Sequence, residues 1–159
     1  MEIKYRAIGV IHSPFTEIEG MPIQPPGAVG VRGSVELLPE LEEGLKDLEG
    51  FSHLILLYHF HRVCEARLTV VPFMDPQPHG VFATRAPKRP NPIGLSVVRL
   101  IGVEGPVLTI EGVDVLDGTP LLDLKPYVPA FDQPGDVRVG WLERAGGRVR
   151  HTRSDDRFR

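Results

Sequence analysis

A single cysteine, Cys64, stands in 159 residues, which excludes an internal disulfide framework and suits a reducing compartment. Long apolar runs are missing as well. The longest, Leu54–Tyr58, is strand-sized, against the ~20 residues a membrane span needs. The start, Met1-Glu2-Ile3-Lys4-Tyr5-Arg6, mixes charges, so no signal peptide is expected, and the protein reads as soluble and cytoplasmic. No Gly-x-Gly-x-x-Gly, phosphate-binding Walker loop or Gly-x-Ser-x-Gly elbow is present. Those absences argue against a Rossmann methyltransferase, an NTPase and an α/β-hydrolase. A general excess of basic charge is lacking too, since the net charge is −3. That leaves room only for a local basic patch.

What is present is a chain for one domain, with 42% hydrophobic residues to build a core. Its 17 glycines and 16 prolines fall between short apolar runs, the pattern of a β-rich fold with many turns. Strands are expected at 5–12, 31–38, 52–62, 67–73, 80–84, 95–103, 107–111, 113–116 and 121–124. The one helix candidate is Pro39–Leu48, where Leu41, Leu45 and Leu48 share a face and Glu40, Glu42 and Glu43 suit a positive N-terminal end. The connections leave no room for βαβ crossovers. The expected fold is mainly β: a small closed or nearly closed antiparallel barrel with one short helix. The barrel is assigned to residues 1–143. Residues 144–159 form a tail with six arginines, expected to be partly disordered.

Two segments carry chemistry. In Gly80–Ser96, Pro87, Pro90 and Pro92 stiffen a loop that cannot pair as central sheet but can hold a ligand at low entropic cost. From Pro76 to Val103 there is no acidic residue, while Arg85, Lys88, Arg89 and Arg99 are basic. This is either a footprint for an anion or nucleic acid, or a solvated surface loop. The second segment, Val113–Tyr127, contains Asp117-Gly118-Thr119-Pro120, first of all a turn. Such a turn also offers backbone groups and a carboxylate to an adenine edge, a ribose or an amino group. His59 and His61 share a strand face, but with His53, Cys64 and His79 they match no zinc spacing, so no metal is expected.

Taken together, Ile8–Pro14, Phe51–His61, Gly80–Arg85, Arg89–Gly94 and Asp117–Tyr127 resemble, in colinear order over residues 5 to 130, the TrmO-like tRNA adenosine N6-methyltransferases. The resemblance implies a homodimeric barrel that binds S-adenosyl-L-methionine between subunits. It places the cofactor among Gln24, Pro26, Gly27, His61, Arg62, Arg85, Leu95, Asp117, Gly118, Thr119 and Pro120. It implies methyl transfer to the N6 nitrogen of threonylcarbamoyladenosine beside the anticodon, with the tRNA anticodon loop as partner. Arg85, Arg89, Asn91 and Tyr127 are the expected catalytic residues: the arginines for phosphate or the threonyl carboxylate, Tyr127 for the base pocket. Two departures stand out. Larger members carry a C-terminal extension that helps hold tRNA, and the Gly20–Gly27 loop differs from their Pro-Arg-Gln-like version. Two rival classes remain open: a barrel that binds S-adenosylmethionine or RNA without methyl transfer, and a metal-dependent hydrolase using the histidines.

Overall fold

The computed structural model describes residues 1–158; Arg159, the last residue of the arginine-rich tail, lies outside the described residues. Six strands close into an antiparallel barrel: β1 (Gly9–His12), β2 (Arg32–Leu37), β3 (His53–His59), β6 (Ile93–Glu104), β7 (Val107–Glu111) and β8 (Thr119–Pro126). Their order around the barrel is β1-β2-β7-β6-β3-β8, and a separate ribbon pairs β4 (Thr69–Val70) with β5 (His79–Gly80).

Alternation makes the barrel. Along β3, Leu54, Leu56 and Tyr58 are buried while His53, Ile55, Leu57 and His59 face outward. The buried set joins Ile11, Val35, Val98, Leu108, Ile110 and Leu121 in a single core. A barrel this small has no lumen, because inward side chains fill it. Burying one such Leu or Ile contributes about 1.5–3 kcal/mol, so the interior supplies most of the fold's driving force.

The helix expected over Pro39–Leu48 is not an α-helix. Two 3-10 turns, Pro39–Leu45 and Leu48–Gly50, occupy the segment, divided where Asp47 takes φ 67°. Their leucines still do the expected work, since Leu45 and Leu48 are buried in the core. The α-helix present is the single turn α1 (Pro129–Asp132). Two expected strands are also revised: 113–116 lies outside the ladder, and 81–83 is a 3-10 turn following β5.

Register places the connections. β1, β3 and β7 finish at the end of the barrel where β2, β6 and β8 begin. The three links at that mouth span residues 13–31, 60–92 and 112–118. The C-terminal segment packs onto the same end. Phe158 is buried with Val70, Val81 and Ala86 against Phe73. The Trp141 ring stacks on His79 with centroids 4.5 Å apart, and its Nε1 donates to Ala83 O at 2.8 Å. Ser154 Oγ donates to Ile18 O and accepts from Met21 N. Apolar side chains with pockets to fill hold this segment in place despite its arginines.

Candidate functional site

The three mouth links and the C-terminal segment enclose a cleft of about 1400 Å³. It exceeds the roughly 300–1,000 Å³ usual for one small ligand, so it has room for part of a second. It continues along the outer face of β3 and β6 to His53 and Arg99, which are register partners.

The proline-stiffened loop forms one wall. Its shape comes from inside. Thr84 Oγ1 donates to Val81 O at 2.9 Å and accepts from Ala86 N at 3.2 Å. Arg89 Nη1 donates to the carbonyls of Val81 (3.0 Å), Thr84 (2.8 Å) and Ala86 (3.3 Å). One guanidinium therefore gathers three carbonyls that the non-repetitive backbone leaves without ladder partners. Arg85, on the outside of this curve, is exposed, lines the cleft and donates to Gln24 Oε1 at 3.3 Å, joining two of the mouth links.

The expected site residues divide. Gln24, Pro26, His61, Arg62, Arg85, Arg89, Leu95 and Thr119 line the cleft. Burial first, then the nearby Arg62 and His59, pull the His61 imidazole below its ordinary range. Gly27 lies just behind the wall, its N–H bonded to Gln24 O at 2.9 Å. Asn91 is exposed on the loop corner, where its carbonyl accepts from Ile93 N. Tyr127 is at the other end of the barrel, edge-on to His53 at 6.4 Å, where its N–H pairs with His53 O.

The Asp117 turn is adjacent to the cleft. Asp117 Oδ1 accepts from Ser13 N at 3.1 Å and lies 3.4 Å from His12 Nδ1, so it ties the turn to the end of β1. Gly118 takes φ 79°, a left-handed conformation that favours glycine, and its N–H reaches Ile11 O. Pro120 sits opposite Val10 in the β1–β8 ladder. Thr119 is the turn's contribution to the cleft, its hydroxyl bonded to Leu116 O at 2.6 Å.

The cleft floor holds a group that sequence reasoning did not single out. Tyr58 Oη and Ser96 Oγ are 2.9 Å apart, and Ser96 Oγ donates to Asp114 Oδ1 at 2.6 Å. Tyr58 and Asp114 line the cleft, and all three side chains are buried. Burial pushes the Asp114 carboxyl up to about 6, against the opposing effect of the Ser96 hydrogen bond, its own backbone N–H and the Arg85 charge. Burial, then the nearby Asp114 charge, holds the Tyr58 phenol above its usual range. Gly94 makes room for the Tyr58 ring: a Cβ there would overlap it. The available signal was an acid flanked by two valines, in Val113-Asp114-Val115, where a charge has little business unless the fold uses it.

Among the described residues, no group of three or more His, Cys, Asp or Glu side chains is placed to hold a metal ion. No described helix is long and apolar enough to cross a membrane.

The donor set fits a cationic nucleoside bearing an amino-acid arm. Arg85 and Arg62 suit a carboxylate, and the edge-to-face Tyr58–Phe60 pair offers aromatic surface to a cation. Known proteins show which family the chain resembles. Residues 10–133 match the tRNA-methyltransferase O N-terminal domain family. A probable S-adenosyl-L-methionine-binding protein of Pyrococcus abyssi is 58% identical over 98% of this chain and 85% of its own length. The human tRNA (adenine(37)-N6)-methyltransferase is 36% identical over 82% of this chain but only 31% of its own. The crystal structure of TrmO from Pseudomonas aeruginosa matches with a TM-score of 0.75 at 45% identity, covering 89% of this chain and 63% of that one. This chain spans 42% of an Archaeoglobus fulgidus relative and 60% of a Pseudomonas aeruginosa one, so several relatives are considerably longer. With the family match covering most of the barrel, the chain belongs to the tRNA-methyltransferase O N-terminal domain family.

Proposed function

We propose that this protein binds S-adenosyl-L-methionine in the mouth cleft and transfers its methyl group to the N6 nitrogen of an adenine beside the anticodon of a tRNA. The preferred base carries the threonylcarbamoyl group. The observation that carries the reading is the cleft itself: an arginine joining two loops at the rim, above a buried hydroxyl–carboxylate chain, in a barrel of this family. Names of relatives support both halves, methyl donor and tRNA adenine.

The bound cofactor supplies an activated methyl group on sulfur; the protein's task is to place the target nitrogen in line and exclude water. Arg85 and Arg62 take the carboxylate groups of cofactor and base, Phe60 and Leu95 supply apolar wall, and Thr119 fixes the turn against the cofactor. Exposed Arg144 and Arg150 of the C-terminal segment would add positive charge for an RNA backbone. An anticodon loop presents unstacked bases at modest cost, which suits a cleft rather than a groove reader.

Two copies complete the site. Apolar side chains stay exposed around the rim: Val29 (83%), Phe82 (74%), Ile93 (41%) and Leu95 (38%). A second subunit seated over them should bury at least about 1,000 Å² in total, the area a stable dimer needs. Sedimentation should find a dimer; monomer alone across a broad concentration range would overturn it.

The direct test is methyl transfer from labelled cofactor into total tRNA, followed by nucleoside mass spectrometry. Label should appear in N6-methylated threonylcarbamoyladenosine. A second reading is favoured by the Pyrococcus relative's name, which mentions binding alone. A protein that binds cofactor tightly yet never turns over would establish that binding-module reading instead.

A further inference from the structure

We propose that Asp114 receives the proton displaced from the target nitrogen, and that Ser96 and Tyr58 hold its carboxylate ready to do so. This rests on the methyl-transfer reading above. Asp114 lines the cleft floor with 8% of its surface open, so it is both withdrawn from bulk water and reachable from the site. The direction of the hydrogen bonds follows from proton counting. Ser96 has one hydroxyl proton, and an ionised Asp114 can only accept, so that proton points to Oδ1. The Ser96 oxygen must then accept from Tyr58, and the Tyr58 ring is held in place by Gly94 and Phe60. The chain therefore runs Tyr58 to Ser96 to Asp114 Oδ1.

The chemistry calls for such a group. A nitrogen attached to both a purine ring and a carbamoyl carbonyl has its lone pair delocalised in two directions, so it attacks poorly while it keeps its proton. In the transfer, this nitrogen bonds to the methyl carbon with its own electron pair as the carbon–sulfur bond breaks onto sulfur. Its N–H proton passes to an Asp114 carboxylate oxygen. The products are a neutral methylated base, a thioether and a carboxylic acid, which returns its proton to solvent when the cleft opens. Besides Ser96, the groups acting on the carboxylate are Arg85 from the proline-stiffened loop, Tyr58 from β3 and its own backbone N–H. An acid lifted to about 6 is a competent base at neutral pH, yet basic enough to take a proton from nitrogen.

The test compares full-length wild type, Asp114→Asn and Ser96→Ala in single-turnover methyl transfer to tRNA between roughly pH 5 and pH 9, with cofactor affinity measured by calorimetry. The carboxyl stretch in the infrared spectrum reads the same titration without turnover. Wild type should show a rate that rises with pH to a plateau, with a midpoint near 6. The infrared band should titrate with it and be absent from Asp114→Asn. Asp114→Asn should keep its cofactor affinity within a few fold and lose about 10²-fold or more in rate. Ser96→Ala, lacking the donor that favours the charged form, should move both midpoints upward. A wild type active on tRNA together with an Asp114→Asn of equal rate and unchanged pH profile would sink this proposal alone. A wild type that binds cofactor and methylates no tRNA would sink the functional reading and this proposal with it.

Discussion

Asp114 and Asp117 are three residues apart on the link between β7 and β8, yet the fold uses them oppositely. Asp114 lies between the buried Val113 and Val115, bonded to Ser96 on the cleft floor. Asp117 is exposed, and its carboxylate points away to Ser13 and His12. Arg85 and Arg89 divide in the same way on the loop opposite: Arg85 reaches across the rim to Gln24, while Arg89 collects carbonyls of its own loop. In each motif one charged residue has its charged group toward the cleft, while its neighbour's, Arg89's included although it lines the wall, is spent on backbone groups. A motif read from sequence thus marks a neighbourhood, and burial plus hydrogen-bond direction assign the roles within it.

The largest effect expected from this contrast is on stability. An acid whose folded value is raised destabilises the fold above its unfolded value, because the unfolded state ionises first. For Asp114, lifted from 3.8 to about 6, wild-type stability contributed by this group falls as pH rises through that window and stays low above it. The full difference is on the order of 3 kcal/mol, from about 1.4 kcal/mol per unit. Asp114→Asn should lack this decline, so the difference between the two proteins in urea unfolding grows from pH 4 to pH 7. Parallel curves for wild type and Asp114→Asn would erase the contrast.

Next in size is Arg85→Ala. A lost charge-assisted contact costs about 1.5–3 kcal/mol, so kcat/KM for tRNA methylation should fall roughly 10- to 150-fold. Melting temperature should barely change, since this side chain is exposed and makes one 3.3 Å bond in the fold. Arg89→Ala should do the reverse. Losing three carbonyl acceptors' shared donor should cost about 2 kcal/mol of stability. The salt dependence of tRNA binding should be unchanged. A salt slope that drops with Arg89→Ala would return that arginine to the phosphate-binding role its sequence position suggests.

Much of the fold was legible because its signal is local. β7 was read correctly at Val107–Glu111, where exposed and buried residues alternate without interruption. The helix at Pro39–Leu48 was misread because leucine spacing alone cannot register the turn of backbone at Asp47. Of the residues the sequence singled out, Arg85, Leu95 and Thr119 line the cleft. Its floor was not legible, since Tyr58, Ser96 and Asp114 come from three separated segments: register sets Ser96 beside Tyr58, and the link after β7 folds Asp114 onto them. Tyr127 is placed apart from the mouth: it follows β8 at the opposite end of the barrel, beside His53 where the cleft ends.

The smallest effect sharpens the contrast most, because it separates a carboxylate that holds a turn from one that holds a ligand. Asp117 accepts one hydrogen bond, from Ser13 N, and an amide oxygen can accept it equally well. Asp117→Asn should therefore keep the turn, Gly118 should stay in its left-handed conformation, and cofactor affinity should remain close to wild type. Asp117→Ala removes the acceptor altogether. It should cost about 1 kcal/mol of stability, the ordinary value of one such bond, and weaken cofactor binding less than about tenfold through a loosened Thr119. Both variants need only thermal unfolding and calorimetry. If Asp117→Asn loses as much affinity as Asp117→Ala while melting like wild type, the negative charge itself meets the cofactor. Asp117 would then join Asp114 as a residue of the site, with one carboxylate for the ligand and the other for the proton.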